Sequence, residues 1–381
     1  MGLTVEQPSG IFFASDDMCF TYGLDAISDA NTLRKLLFRI KATTDDQLHR
    51  EYISYEPKAT EEKIPVNFRK LISQHLGTAI PKLDQTTNTI IDTSFIQSYV
   101  SEHGTKEINL ETREVIDNTE LGEPFTVVNA HIQPYQDNTK SDVMILTDKK
   151  RVALSIDTHD WIRVFGAATA TITYFYKDGT STSQTLTVAT ALWPCGPAQL
   201  ARAKAISDNR PLSHMRSYKI VFTAGGQELH TVNYTLIDDC TSSEKRIDVY
   251  FLEPKGSWSA MCFYIDHDEQ INKTLDVLCR SGACPTSIED LFAKYGRNII
   301  NRRSWMSASL SKRFVSYAEN IEYYRAFANA RQYRAAFPFA EGNRAQLLAP
   351  FVPTTTQINT HSRKQFQDLS FNGYYGLDLN S

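Results

Sequence analysis

The stretch Ala170-Thr171-Ile172-Thr173-Tyr174-Phe175-Tyr176-Lys177-Asp178-Gly179, continuing from Thr180 to Val188, decides the fold class. Ile172, Tyr174 and Tyr176 fall on one face of an extended chain, and Thr171 and Thr173 on the other. That is the period of two expected of a half-buried strand. Asp178-Gly179 then turns the chain back, because both residues tolerate the positive φ of a tight hairpin. The return strand, Gln184 to Val188, sets Leu186 and Val188 on one side.

The same grammar extends in both directions. Downstream, Tyr218 to Thr223 and Leu229 to Ile237 read as a second hairpin joined through Gly225-Gly226. Asp248 to Leu252 and Met261 to Ile265 are strands on either side of Glu253-Pro254-Lys255-Gly256-Ser257-Trp258. Pro and Gly make that link a turn, and Trp258 supplies a large structural anchor for the C-terminal region. Gln365 to Leu379 reads as a closing strand with Gly373 as a bend or bulge. Upstream, Gly10 to Phe13, Met18 to Tyr22, Arg34 to Ile40 and Glu51 to Tyr55 are short runs rich in aromatic and β-branched residues.

Helices are expected to be few and short. Pro65 to Ile72 spaces Phe68, Leu71 and Ile72 three and four apart, and Ser287 to Tyr295 has an N-cap serine with Gly296 after its end. Glu319 to Phe337 suits a helix by spacing and a strand by aromatic density. The expected fold is therefore mostly β, a multi-domain β-sandwich of Ig-like or jelly-roll-like kind with a few short helices. The turn signals divide it into a sandwich over residues 1–115, a second over 116–245, and a β-rich domain with short helices over 246–381.

Composition narrows the function classes. The 381 residues suffice for two or three domains, and the formal charge of -4 argues against a surface that binds nucleic acid all over. No run of about 18 apolar residues offers a membrane span, and Met1 to Gly10 lacks the basic and apolar regions of a secretory leader. Synthesis in a cytoplasm, with no membrane partner, is the expectation. Cys19, Cys195, Cys240, Cys262, Cys279 and Cys284 show no disulfide-framework spacing and read as buried free thiols. Cys279 and Cys284 lack two further ligands nearby, so no metal and no cofactor are expected.

Motifs of catalysis are sparse. The sequence holds no GxxxxGK[ST] phosphate loop, GxSxG elbow, HExxH or CxxC. Asp157-Thr158-His159-Asp160 and Asp266-His267-Asp268-Glu269 bring His and carboxylates together. In an extended strand only alternate members of such a run converge, so a turn or solvated strand end is the plainer reading.

The charge distribution says more. From Lys294 to Arg344 the positives Lys294, Arg297, Arg302, Arg303, Lys312, Arg313, Arg325, Arg331, Arg334 and Arg344 stand against Glu319, Glu322 and Glu341. Tyr295, Trp305, Tyr317, Tyr323, Tyr324 and Tyr333 are interleaved with them. Arg and Tyr are enriched at protein interfaces, and Arg302, Arg303, Arg313, Arg325 and Arg331 are the candidate interface residues. The same mixture suits a nucleic-acid backbone, and a solvated face with internal ion pairs is the plain alternative.

The order of these features resembles a group of structural proteins of Bacteroidetes phages and prophages, including the crAss-like phages. Pro65 to Ile72 stands where that group carries a short helix closing its first sandwich. Ile145-Leu146-Thr147-Asp148 through Trp161-Ile162-Arg163-Val164-Phe165 resembles its second element. Val249 to Phe263 resembles its strand and Gly-Trp turn, with Phe251 in place of Trp and Glu253 in place of Asn. A basic-aromatic strand, Lys312 to Tyr317, and a C-terminal strand complete the order.

The resemblance implies a non-enzymatic virion subunit of the tail, neck or collar, built of β-sandwiches and assembled as a ring. Its partners would be other copies of itself and neighbouring virion proteins on the tail, neck or portal side, with DNA contact in the ring lumen a further expectation. It carries over no catalytic residues. The alternative is a carbohydrate-binding or adhesion module of the same virion, with Trp161, Trp193 and Trp305 as sugar platforms. A glycan hydrolase using His159 or His267 comes third.

Overall fold

The computed structural model describes residues 4–7, 9–24, 31–43, 45–53, 62–83, 89–132, 140–202, 212–237, 246–265, 270–279, 297–336, 348–354 and 366–375. The fold is mostly β, with several sheets and a few short helices, as the sequence leads one to expect.

The N-terminal unit is two facing sheets. One orders β1 (Thr4–Glu6), β3 (Cys19–Leu24) and β6 (Glu62–Asn67). The other orders β2 (Ile11–Phe13), β9 (Phe125–Val128), β7 (Ile96–Asn109), β4 (Thr32–Ala42) and β5 (Asp45–Ile53), with β8 (Val115–Leu121) paired beside β7. Phe20, Tyr22, Phe38, Phe68, Tyr99 and Phe125 fill the space between the sheets, Phe20 meeting Phe68 edge-on at 5.1 Å. Because β9 pairs with both β7 and β2, this unit runs to Val128, past the boundary at residue 115 that turn signals give.

The expected helix over Pro65 to Ile72 is shorter than its spacing suggests. Pro65, Val66 and Asn67 belong to β6, opposite Thr21, Phe20 and Cys19, and only Arg69–Ser73 is helical (α1). β6 is an edge strand, where a proline without an N–H is tolerated. The Asn67 carboxamide oxygen accepts the Arg69 N–H at 3.0 Å and so starts the helix after it.

The middle region pairs β10 (Met144–Leu146), β12 (Trp161–Phe165) and β15 (Ala191–Pro194) in a small sheet. A five-stranded sheet orders β11 (Arg151–Leu154), β17 (Gln227–Leu236), β16 (Met215–Ala224), β13 (Ala168–Tyr176) and β14 (Ser181–Val188). A short helix, α2 (Pro197–Arg202), follows the small sheet. Both hairpins read from the sequence are present, with Gly179, Gly225 and Gly226 at positive φ in their turns. Tyr174, Tyr218 and Tyr234 sit opposite one another on three adjacent strands, the last two rings stacked at 4.5 Å.

The C-terminal region closes on itself. β18 (Arg246–Leu252) pairs with β19 (Trp258–Ile265) and with β22 (Tyr333–Ala336). Pairing then passes through β23 (Leu348–Pro353) and β24 (Phe366–Tyr375) to β21 (Arg297–Ser316), which returns to β19. The result is a closed antiparallel barrel of six strands, an arrangement that removes sheet edges. The ambiguous stretch after Glu319 is both things in turn: helix α3 (Tyr317–Ala328), then β22.

Val249 to Leu252 of β18 and Trp258 to Phe263 of β19 are buried on both faces, which accounts for their nearly unbroken apolar sequence. Phe251 and Phe263 pack on Phe327 of α3, while Tyr250 meets Trp161 of the small sheet. The middle and C-terminal regions consequently share one hydrophobic core, so the expected division at residue 245 does not separate two cores. The turn between β18 and β19 touches the N-terminal unit as well. Gly256 has φ 104, and any Cβ there would run into the Phe95 ring.

One part of the barrel is not enclosed. β20 (Gln270–Cys279) pairs with Arg297 to Ser307 of β21, whereas β24 joins β21 only from Ser307 onward. Over Arg297 to Met306 the two strands therefore form a ribbon with no third strand among the described residues. Ten residues at ~3.3 Å each make it about 33 Å long.

Candidate functional site

The best-built polar constellation lies where the middle region meets the barrel. Lys149, in the loop after β10, points its ammonium at Asp160, with Nζ 2.8 Å from Oδ2. The same ammonium donates to the carbonyls of Trp161 at 2.7 Å and Trp258 at 3.2 Å. Asp160 also accepts from the Tyr234 hydroxyl at 2.8 Å and from the Ala260 N–H at 3.1 Å. Both ionic side chains are wholly buried. Burial alone would lower Lys149, but Asp160 leads the charges that outweigh it and raise its pKa. Burial drives the Asp160 carboxyl up, against the pull of Lys149 and of the Tyr234 hydroxyl.

Glu253 forms the second half of the network. It accepts from the Thr147 hydroxyl, the Asp148 N–H at 2.7 Å and the Ser259 hydroxyl. Burial pushes its carboxyl up to about 7, with Lys149 opposing and Asp148 adding to the rise. Asp148 is met in turn by Lys255 at 2.9 Å. Cys195 lies 3.1 Å from the Tyr234 hydroxyl, and burial raises its thiol pKa well above the ordinary value. A buried, protonated thiol is inert. The chemistry available here is that of a sealed clamp: a cation and two carboxyl groups holding loops from the small sheet, the five-stranded sheet and the barrel.

Further polar ties join the N-terminal unit to the rest. Arg163 pairs with Asp92 at 3.0 Å and lies over the Phe95 ring at 4.0 Å. Burial takes its guanidinium down to about 10, opposed by Asp92. The Trp258 indole N–H donates to the Ala79 carbonyl at 3.0 Å. The structure thus places the anchor Trp258, fully buried, at the three-way junction.

The candidate interface residues are dispersed. Arg302 and Arg303 lie in the ribbon opposite Leu275 and Thr274, and Arg313 sits at a register shift between β21 and β24. Arg325 is exposed on α3. Arg331 reaches back to the N-terminal unit, donating to the carbonyl of Asn129 at 2.8 Å and its Oδ1 at 2.9 Å. Lys294 and Arg344 lie outside the described residues.

Of the expected sugar platforms, Trp161 and Trp193 are buried in the core. The run Asp157 to Asp160 lies in the turn and loop between β11 and β12, the plainer of its two readings. Asp160 enters the ionic clamp, and His159 stacks on Trp161 at 6.0 Å. His267 lies outside the described residues. Of the thiols, Cys195 and Cys262 are buried, but Cys19 is exposed on an N-terminal strand.

Sequence reasoning did not find the clamp, since Lys149, Asp160 and Glu253 share no motif spacing. Nor did it mark the outer strand β8, whose residues are all exposed. Its signal was available: Glu111, Glu114, Asp117, Glu120 and Glu123 are concentrated there around a single Arg113.

Among the described residues no group of three His, Cys, Asp or Glu side chains could hold a metal ion, and no helix is long and apolar enough to cross a membrane. No protein-family model and no curated protein matches the chain. Among solved structures, the calcium binding domain CBD12 of CALX1.1 aligns over 62% of this chain and 100% of its own, at 7% identity and a TM-score of 0.18. A superposition that loose carries no argument about the fold or the function of this chain.

Proposed function

We propose that this chain is a non-enzymatic building block of a tailed-phage virion, a ring-forming subunit of the tail, neck or collar. The observation that carries the reading is the two-stranded ribbon of β20 and β21. Two paired strands are marginal by themselves in water, and N–H and C=O groups left without a strand partner among the described residues are a template for another chain. Its β21 strand belongs to the basic-aromatic stretch, whose composition suits an interface. The polar groups best able to do acid–base chemistry are instead sealed in a clamp that fixes the middle region against the barrel. Rigid subunits with one open, unlike surface at each end are what a head-to-tail ring needs.

The test is the mass and shape of the purified protein, by light scattering and negative-stain microscopy across a range of concentrations. Closed rings of fixed copy number are expected. A monomer at every concentration, including in the presence of the adjoining virion proteins, would overturn the reading.

A further inference from the structure

Resting on that reading, we infer that the contact between copies is a β-sheet extension: the outer edge of β21 over Arg297 to Met306 docks along β8 of a second copy of this chain. β8 is an open edge strand of the N-terminal unit. All seven of its residues are exposed, and among the described residues only β7 pairs with it. Val115, Ile116 and Leu121 are exposed aliphatics, Leu121 at 70%. Strands in this condition are normally covered by something.

Charge selects the occupant. From Glu111 to Glu123 the segment around β8 carries five carboxylates and one Arg, and Lys106 of β7 reaches Asp117 at 3.7 Å. Two β8 edges would therefore repel each other, which disfavours a symmetric pairing of like with like. The ribbon carries the opposite sign: Lys273, Arg297, Arg302 and Arg303 against Asp276. The edge of β21 from Arg297 to Met306 is long enough for the seven residues of β8. One edge belongs to the N-terminal unit and the other to the C-terminal barrel. Their pairing is head-to-tail, the kind of contact that closes into a ring when the rotation allows.

The experiment uses two charge-reversed full-length chains. The first carries Glu114→Lys, Asp117→Lys and Glu120→Lys, which makes both of its edges basic. The second carries Lys273→Glu, Arg302→Glu and Arg303→Glu, which makes both acidic. Each alone should assemble at least about tenfold less readily than wild type, read as the concentration at half-assembly, with its thermal midpoint unchanged. Mixed one to one they should assemble again, in alternation, because every contact then joins opposite charges.

If wild type forms rings and either variant alone assembles as well as wild type, this contact is wrong while the ring reading stands. Loss in both variants without rescue on mixing overturns the pairing of these two edges with each other. A wild type that never assembles overturns the ring reading, and this contact with it.

Discussion

The ammonium of Lys149 and the carboxylate of Asp160 meet at 2.8 Å with neither side chain touching solvent. Such a pair adds little net stability beyond an apolar substitute, because both charges had to be taken out of water. Breaking it is a different matter. Removal of the cation leaves a carboxylate buried among Tyr234, Cys195 and Ala260 with nothing to balance it.

Lys149→Met should therefore cost about 3–5 kcal/mol in urea unfolding. Asp160→Asn keeps its one acceptor oxygen for either Tyr234 or Ala260 and strands the ammonium, and should cost a similar amount. The double variant should be more stable than the sum of the two losses implies, by about 1–3 kcal/mol. Strict additivity would mean that the pair does not act as a unit.

Glu253 gives the fold a pH dependence of unusual sign. Its carboxyl moves from the ordinary 4.5 to about 7 on burial, so between those values the folded chain holds a proton that the unfolded chain has released. Its contribution is fully present below pH 4.5 and is lost as the pH rises through about 7, on the order of 3 kcal/mol. Most paired carboxylates act in the opposite direction, so the difference between wild type and Glu253→Gln isolates the effect. Urea midpoints measured from pH 5 to 8 should show wild type losing ground relative to the variant. Parallel curves would mean that Glu253 does not titrate in this window.

Arg331 ties the barrel to the N-terminal unit through both the carbonyl and the side chain of Asn129, whose own amide donates to Gly77. A forked guanidinium reaches both acceptors at once and a lysine ammonium does not. Arg331→Lys and Arg331→Ala should weaken the chain alike, by about 1 kcal/mol given the partial exposure of the site. Protease sensitivity in the 129–132 segment should rise in parallel. Full recovery by lysine would reduce the contact to simple charge.

What the sequence revealed, and what it hid, follows from the range of the interactions. The hairpins at Asp178-Gly179 and Gly225-Gly226 are legible because turn and alternation lie within a few residues of each other. Pro65-Val66-Asn67 misleads because a strand running into one helical turn leaves the same three-and-four spacing at Phe68, Leu71 and Ile72 as a longer helix. Phe125 to Val128 reads as a short apolar strand anywhere, and only its pairing with Ile96 to Tyr99 assigns it to the first unit. The clamp is hidden for the same reason: loops far apart in sequence meet only after three sheets have packed. The basic ribbon was visible as composition, but its open edge is a property of pairing alone.

Trp258 shows how a residue legible as an anchor acquires a second task from the fold. Its ring is fully buried, its carbonyl accepts from Lys149, and its indole N–H reaches the Ala79 carbonyl of the N-terminal unit. Trp258→Ala should cost about 3–5 kcal/mol through the cavity it leaves. Trp258→Phe keeps most of the packing but leaves the Ala79 carbonyl without its donor, a loss of about 1–3 kcal/mol. The two variants should also differ in kind. The phenylalanine should loosen residues near Ala79 first, seen as faster hydrogen exchange there while the barrel stays protected. The alanine should unfold the middle region and the barrel together, because they share one core. Equal exchange throughout both variants would mean that the indole hydrogen bond has no separate part in holding the N-terminal unit.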